Sequence, residues 1–212
     1  MKTLLYITVN SKPEHSSACK SVGRVFVNEF KAKYPDYEIN EFDLYDISIP
    51  KLKCQYFNQQ SSLVDVNDSS LSKAETETLN RIIELAQEFK AADFYVFAVP
   101  LWNMLFPSPL KEYLDCVIQN DITVKVSPDK ITGLLSDKKR IAVYIQSSGG
   151  PVPWIIEGKV SHGTTYIKDI LKFIGITEYY EILVDKTGYT EKEQQKAIDK
   201  GIKQVKTLVK KL

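Results

Sequence analysis

The chain is short of the residues that hold metals and covalent cross-links. Its 212 residues include 3 cysteines and 2 histidines. Cys19, Cys54 and Cys116 stand far apart, no CxxC pair occurs, and the histidines are His15 and His162. Zinc and iron–sulfur sites need clustered thiolates or imidazoles, so no metal site is expected. An odd, sparse cysteine count fits reduced thiols in the cytoplasm better than a disulfide framework. Excess charge of one sign is also missing, because 28 Lys+Arg against 27 Asp+Glu leave a net +1. A dedicated nucleic-acid binder carries a basic surplus, so nucleic acid is not the expected partner. No apolar run approaches the ~20 residues of a membrane span, and no membrane partner is expected either. The apolar run at residues 3–9 stops at Asn10 without a small-residue cleavage site behind it. It reads as a first strand rather than a signal peptide.

What is present is a core. Hydrophobic residues make up 43% of the chain, normal for a globular protein. At ~150 residues per domain, the length allows one large domain or two small ones. The hydrophobic period alternates along the chain. Residues 3–9 form an apolar run of strand length, and Ala18, Val22, Val25, Phe26 and Phe30 then make a helical stripe. Residues 38–43 read as a more polar strand at an edge. Ser72-Lys73-Ala74-Glu75 fits a capping box, with Leu79, Ile82, Ile83, Ala86 and Phe89 as the stripe behind it. Residues 94–99 form a third strand, and Ser108-Pro109 reads as an N-cap followed by proline. Residues 141–145 and 179–184 are the fourth and fifth strands. A helix over 164–174 ends at Gly175, and Thr190–Glu193 suits the capping box of a final helix. Strands apolar on both faces, alternating with amphipathic helices, imply one doubly wound α/β domain over residues 1–212. The expected sheet has five parallel strands in the order 2-1-3-4-5.

Two segments depart from this rhythm. Residues 44–71 are far longer than the usual ~2–6-residue connection. Leu52, Tyr56 and Phe57 within them suggest a lid or subunit contact, the alternative being a surface excursion. The last 27 residues hold 8 Lys against 3 acidic residues. Lys192, Lys196, Lys200, Lys203 and Lys206 recur at helical spacing, which reads as a solvated helix face, the alternative being contact with a membrane or polyanion.

In an open parallel sheet, ligands bind beyond the carboxyl ends of the strands where the strand order reverses. Three loops are expected there. The first, Asn10-Ser11-Lys12-Pro13-Glu14-His15-Ser16-Ser17, contains neither a GxGxxG nor a GxxxxGK[ST] motif. Its hydroxyls lead into a helix N-terminus that can hold a phosphate, or Ser16 or Ser17 simply caps the helix. His15 reads as solvent-facing. The second, Pro100-Leu101-Trp102-Asn103-Met104-Leu105-Phe106-Pro107, is apolar and aromatic and suits a flat ligand, or is a buried hydrophobic loop. The third, Gln146-Ser147-Ser148-Gly149-Gly150-Pro151, offers close approach to backbone amides, or is a flexible turn. No GxSxG elbow or placed histidine supports nucleophilic catalysis.

These residues resemble a known family. Pro100-Leu101-Trp102-Asn103-Met104, with Pro109-Leu110-Lys111 and Tyr113-Leu114-Asp115, is similar to the P-M-[YW]-N-F…LK.Y.D block of the FMN-dependent NADH-azoreductases, also described as FMN-dependent NADH:quinone oxidoreductases. Lys172-Phe173-Ile174-Gly175-Ile176, Thr132-Gly133-Leu134-Leu135 with Lys138-Lys139, and Gly149-Gly150 resemble further blocks in the same order. The resemblance implies a flavodoxin-like fold and a homodimer with FMN at the subunit interface. It implies that Ser11, Ser17 and the backbone of Cys19 hold the FMN phosphate. Leu101, Trp102, Asn103 and Met104 would line the isoalloxazine, and Gln146, Ser147, Ser148, Gly149 and Gly150 its edge. NADH would reduce the flavin, and quinones or azo compounds would take two electrons in a ping-pong cycle. The flavin carries the chemistry, so no catalytic side chain is expected.

The chain departs from the family's pattern at several positions. Cys19 replaces a serine, and Val124-Lys125-Val126-Ser127 lacks the two rings of F-[KR]-Y-T. Ser148 replaces a basic residue, and no histidine follows the glycine pair. An electron carrier of the flavodoxin type is the rival reading, disfavoured because carriers are strongly acidic. A regulator that keeps the fold without the cofactor is a third. Tyr56, Phe57, Trp102, Phe106 and Trp154 are expected to gather apolar area on loops at one end of the sheet, in support of the dimer.

Overall fold

The computed structural model describes residues 2–59, 62–150, 162–188 and 190–212. Five strands form one parallel sheet: β1 (Lys2–Thr8), β2 (Tyr37–Asp43), β3 (Phe94–Pro100), β6 (Ile141–Ser147) and β7 (Glu178–Val184). They lie in the order β2-β1-β3-β6-β7. Helices α1 (Ala18–Lys33) and α5 (Glu191–Lys211) follow β1 and β7, and α2 (Lys73–Ala91) precedes β3. Helices α3 (Ser108–Val117) and α4 (His162–Ile174) follow β3 and β6 in the chain.

The two-residue strand period divides the core into two layers. Leu4 and Tyr6 of β1, with Val96, Ala98, Val143 and Ile145, pack against α1 and α5. Their neighbours Leu5 and Ile7, with Tyr95, Phe97, Ala142 and Tyr144, pack against α2, α3 and α4. All seven residues of β3 are buried, as a central strand covered on both faces requires. None of β2 is fully buried, which matches its place at the sheet edge. Both capping boxes form, at Ser72 with Glu75 and at Thr190 with Glu193. Gly175 ends α4 with φ +111°, a conformation that favours glycine.

The structure revises the sequence reading in four places. Strands β4 (Val124–Ser127) and β5 (Lys130–Gly133) form an antiparallel hairpin outside the main sheet. Four-residue strands are too short to show a period, so the sequence reading passed over them. The N-cap of α3 is Pro107, and Ser108 is already helical. Segment 44–71 is no detached excursion. Ile47, Ile49, Leu52, Leu63, Val64 and Val66 pack onto the core beside α2 and α3, and Cys116 Sγ donates to Pro50 O at 3.2 Å. Tyr56 and Phe106 are buried, so they add nothing to an exposed patch, and Trp154 lies outside the described residues. The exposed large apolar residues near the site are Trp102, Met104 and Leu105. Lys192, Lys196, Lys200, Lys203 and Lys206 of α5 are all exposed.

Candidate functional site

Parallel pairing brings the carboxyl ends of β1, β3 and β6 to one edge, with Thr8 opposite Ala98 and Pro100 opposite Ser147. The chain leaves β1 for one layer and β3 for the other, so their loops part and leave a crevice. A cavity of about 250 Å³ occupies it, close to the lower end of the roughly 300–1,000 Å³ usual for ligand sites. Asn10, Ser17 and Ala18 line it from the first side, and Leu101, Trp102, Ser147, Ser148 and Gly149 from the second.

On the first side, Ser17 caps α1, its Oγ accepting from Lys20 N at 3.4 Å. Buried Asn10 donates to the same oxygen at 2.9 Å and accepts from Lys12 N at 3.0 Å. Ser17 therefore serves as a cap while it lines the cavity. The N–H groups of Ala18 and Cys19, in the first turn of α1, have no intrahelical acceptor and carry the positive end of the helix dipole. Cys19 Sγ is buried 3.3 Å from Ser17 Oγ, so only its backbone can meet a ligand here. Ser11 is exposed and lines an adjoining cavity of about 620 Å³ with Lys12, Lys20, Arg24 and Asp43. His15 is exposed, as expected.

Charged groups brace this side. Lys20, almost wholly buried, donates to Asp43 Oδ2 at 2.6 Å and to Lys12 O at 3.1 Å. Arg24 reaches Glu14 at 3.0 Å and Glu41 at 2.5 Å. The Arg24 hydrogen bond holds the Glu41 carboxyl below the usual carboxylate range.

On the second side, Trp102 and Leu105 exchange backbone hydrogen bonds of 2.8 and 2.9 Å in a tight turn. Asn103 and Met104 at its tip have φ of 48° and 68°. Trp102 is 43% and Met104 45% exposed, so an aromatic and a thioether face outward beside the cavity. Asn103 and Met104 do not line the cavity itself. Gln146 is buried and turns into the opposite layer, its Oε1 3.2 Å from where a Cβ on Gly163 would stand. Among the described residues, a Cβ on Gly149 or Gly150 would meet nothing within 4 Å.

The sequence reading missed the loop after β7. Thr187, Gly188 and Gln194 also line the cavity. Thr187 N donates to Ser148 O at 3.0 Å and Gly188 N to Gly149 O at 3.0 Å, extending the β6–β7 pairing past the strand ends. The only local signal was Gly188 just before the capping box at Thr190. Lys20 was also missed. No local signal marked it, since at helical spacing it falls off the stripe of Ala18, Val22, Val25, Phe26 and Phe30.

The arrangement offers a fixed array of donors at one end and exposed aromatic and small residues at the other. It suits a ligand with an anionic tail and a flat ring. The unsatisfied N–H groups of α1 match a phosphate, and the open glycine backbone beside Trp102 matches a ring edge, so the residues present fit FMN. Among the described residues no cluster of His, Cys, Asp and Glu could hold a metal ion, and no helix is long and apolar enough to cross a membrane.

Comparison with known proteins agrees with this reading. A family model described as "Flavodoxin-like fold" matches residues 2–209. An FMN-dependent NADH:quinone oxidoreductase of Clostridium botulinum (strain Alaska E43 / Type E3) is 48% identical over 99% of this chain and 98% of its own. A relative of the same name from Ruminiclostridium cellulolyticum is 45% identical over 99% of both chains. The crystal structure of an FMN-dependent NADH-azoreductase from Bacillus anthracis in complex with FMN superposes with TM-score 0.82 at 26% identity. That match covers 99% of this chain and 100% of the other.

Proposed function

The chain belongs to the flavodoxin-like family of FMN-dependent NADH:quinone oxidoreductases and azoreductases, and we propose from this premise how its own site works. The protein is an FMN-dependent oxidoreductase that moves two electrons from NADH to quinones or aromatic azo compounds. FMN held in this site would supply two-electron redox chemistry between NADH and a quinone or azo acceptor.

The chain's part is to bind, orient and shield. The N–H groups of Ala18 and Cys19 and the Ser17 hydroxyl hold the phosphate at the start of α1, and Ser11 closes over it from the loop. Lys20 and Asp43 fix that loop through Lys12 O. Leu101, Trp102, Asn103 and Met104 give the ring an apolar bed and a hydrogen-bonding amide. Ser147, Ser148, Gly149 and Gly150 present backbone to the ring edge, and Gln146 supports them from beneath. The protein works as a homodimer in the cytoplasm. The outward-facing Trp102, Met104 and Leu105 support the dimer, and three free thiols support the compartment.

The observation that carries the reading is the meeting of three features on one cavity: the open N-terminus of α1, the Trp102 indole and the vacant face of Gly149. The test is the visible spectrum of the purified protein, followed by NADH oxidation with a benzoquinone and with an azo dye. A yellow protein with flavin-dependent turnover of either acceptor is expected. A colourless protein that takes up no FMN overturns the reading.

A further inference from the structure

Ser148 sits where three loops meet, and its hydroxyl has more to do than one proton allows. Its Oγ lies 2.7 Å from Gly150 O and 3.0 Å from Asp185 Oδ1. A serine hydroxyl donates one hydrogen, and a backbone carbonyl only accepts. When Asp185 is ionised it too only accepts, and one hydrogen cannot serve both acceptors at full strength. When Asp185 carries a proton the conflict ends. The acid donates to Ser148 Oγ, and Ser148 donates to Gly150 O.

The rest of the loop after β7 already grips the same segment. Thr187 gives Ser148 O two hydrogen bonds of 3.0 Å, from its N and from its Oγ1. Gly188 N reaches Gly149 O at 3.0 Å, and Lys186 N reaches Gly150 O at 3.4 Å. Lys186 holds φ 60°, a strained conformation for a lysine. These backbone contacts bring Asp185 against Ser148 in a half-buried setting.

We propose that Asp185 is a positioning residue for the glycine loop. As the neutral acid it completes a hydrogen-bond latch through Ser148 that holds Ser148, Gly149 and Gly150 in place for the flavin ring edge. This rests on the assignment of those three residues to the flavin edge. Burial pushes the Asp185 carboxyl above its ordinary range, against the Ser148 hydrogen bond, which favours the ionised carboxylate, and the pull of Lys200 on α5 and Lys186 on its own loop. Glu193, Lys196, Asp199 and Lys203 of α5 line the same groove and complete its charged surroundings. The native chain holds this proton more tightly than the unfolded chain. The latch is therefore complete at low pH and is lost as pH rises through the folded-state titration.

The test compares FMN affinity of the wild-type protein, Asp185→Asn and Asp185→Ala, by flavin fluorescence from the acid limit at which the protein stays folded up to about pH 8. Asparagine donates to Ser148 Oγ at every pH. The wild-type and Asp185→Asn proteins should match at the acid end. At the alkaline end the wild type should bind roughly three- to tenfold more weakly than Asp185→Asn, the worth of one hydrogen bond. Asp185→Ala should be weak throughout. Taking the ratio of wild type to variant cancels the ionisation of the FMN phosphate. A ratio that does not change with pH, or an alanine variant equal to the asparagine one, overturns the proposal. Amide exchange at Ser148, Lys186, Thr187 and Gly188 in the FMN-free protein reads the latch without flavin. After correction for intrinsic rates, protection should fall with rising pH in the wild type and stay level in Asp185→Asn. If FMN does not bind but exchange follows this pattern, the flavin assignment fails and the latch stands. If FMN binds and neither readout follows the pattern, the latch fails alone.

Discussion

The two sides of the crevice are built from different materials. The side after β1 is braced by charge. Lys20 and Asp43 meet at 2.6 Å under the loop, and Arg24 ties Glu14 to Glu41 across its mouth. Gly23 packs the helix so closely that a Cβ would stand 2.5 Å from Tyr6 Oη. The side after β3 and β6 is held by backbone hydrogen bonds and left open. Gly149 and Gly150 have no side chain of the described residues packed beside them, and Trp102 and Met104 face outward. The difference follows from what each side must hold. A phosphate is bound by fixed dipoles and N–H groups, which work only if the loop carrying them is held still. A flat ring needs room and apolar surface, which large or charged side chains would remove.

Breaking the charge brace is the severest test of this contrast. Asp43→Ala leaves Lys20 nearly buried and unpaired. It should cost about 2–4 kcal/mol, somewhat below the usual ~3–5 for a buried pair because Asp43 is 26% exposed. Urea unfolding measures it. The matching change on the open side, Gly149→Ala, should shift stability by no more than about 0.5 kcal/mol. Equal costs for the two would erase the distinction.

Gly23→Ala comes next. Its methyl would meet Tyr6 Oη at 2.5 Å and Ala98 Cβ at 3.1 Å, and Tyr6 is held by a 3.2 Å hydrogen bond to Lys20 O. Overpacking should cost about 1–3 kcal/mol, reduced by up to about 1 kcal/mol from the better helix propensity of alanine. Thermal unfolding reads it, and an unchanged or higher midpoint would show that the first side is less tightly packed than described.

On the open side, Asn103 sharpens the contrast because its strain is local. Alanine at φ 48° should cost about 1 kcal/mol, while Asn103→Gly should hold stability near the wild type. Both variants lose the side-chain amide, so both should bind FMN more weakly. A glycine variant with wild-type FMN affinity would assign Asn103 a backbone role only.

The smallest effect is the response to acid. Glu41, held low by Arg24, contributes stability above its ordinary titration and loses it as pH falls through its folded-state value. Asp185, raised by burial, contributes at low pH and loses its share as pH rises. Acidification through and below the ordinary carboxylate range should therefore loosen the first side slightly while it tightens the second. Amide exchange around Glu14 and around Thr187, compared at two pH values, should move in opposite directions once intrinsic rates are removed.

Much of the architecture was legible in the chain itself. The apolar runs at four of the five strands, the stripes of α1, α2 and α5, and the capping residues Ser72 and Thr190 are local signals complete within one element. The candidate site was legible where it lies on loops of unusual composition, as at Trp102-Asn103 and Gly149-Gly150. It was not legible where one ordinary residue acquires meaning from distant partners. Nothing local marks Lys20 as the partner of Asp43, 23 positions away, or Asp185 as the partner of Ser148, 37 positions away. The β4–β5 hairpin escaped for a related reason. Its strands are too short for periodicity, and Gly133 is needed only because the backbone of Phe173 and Ile174 passes against it.

The sequence by itself determined which residues are buried together and that a parallel sheet would be covered on both faces. Hydrophobic period and capping chemistry act over a few turns of chain. Only the tertiary structure decided how the crevice is held open and braced, because strand register sets which loop ends come within hydrogen-bonding reach. Parallel pairing of β6 with β7 places the loop after β7 on Ser148 and Gly149, and pairing of β1 with β2 places Asp43 beneath Lys20.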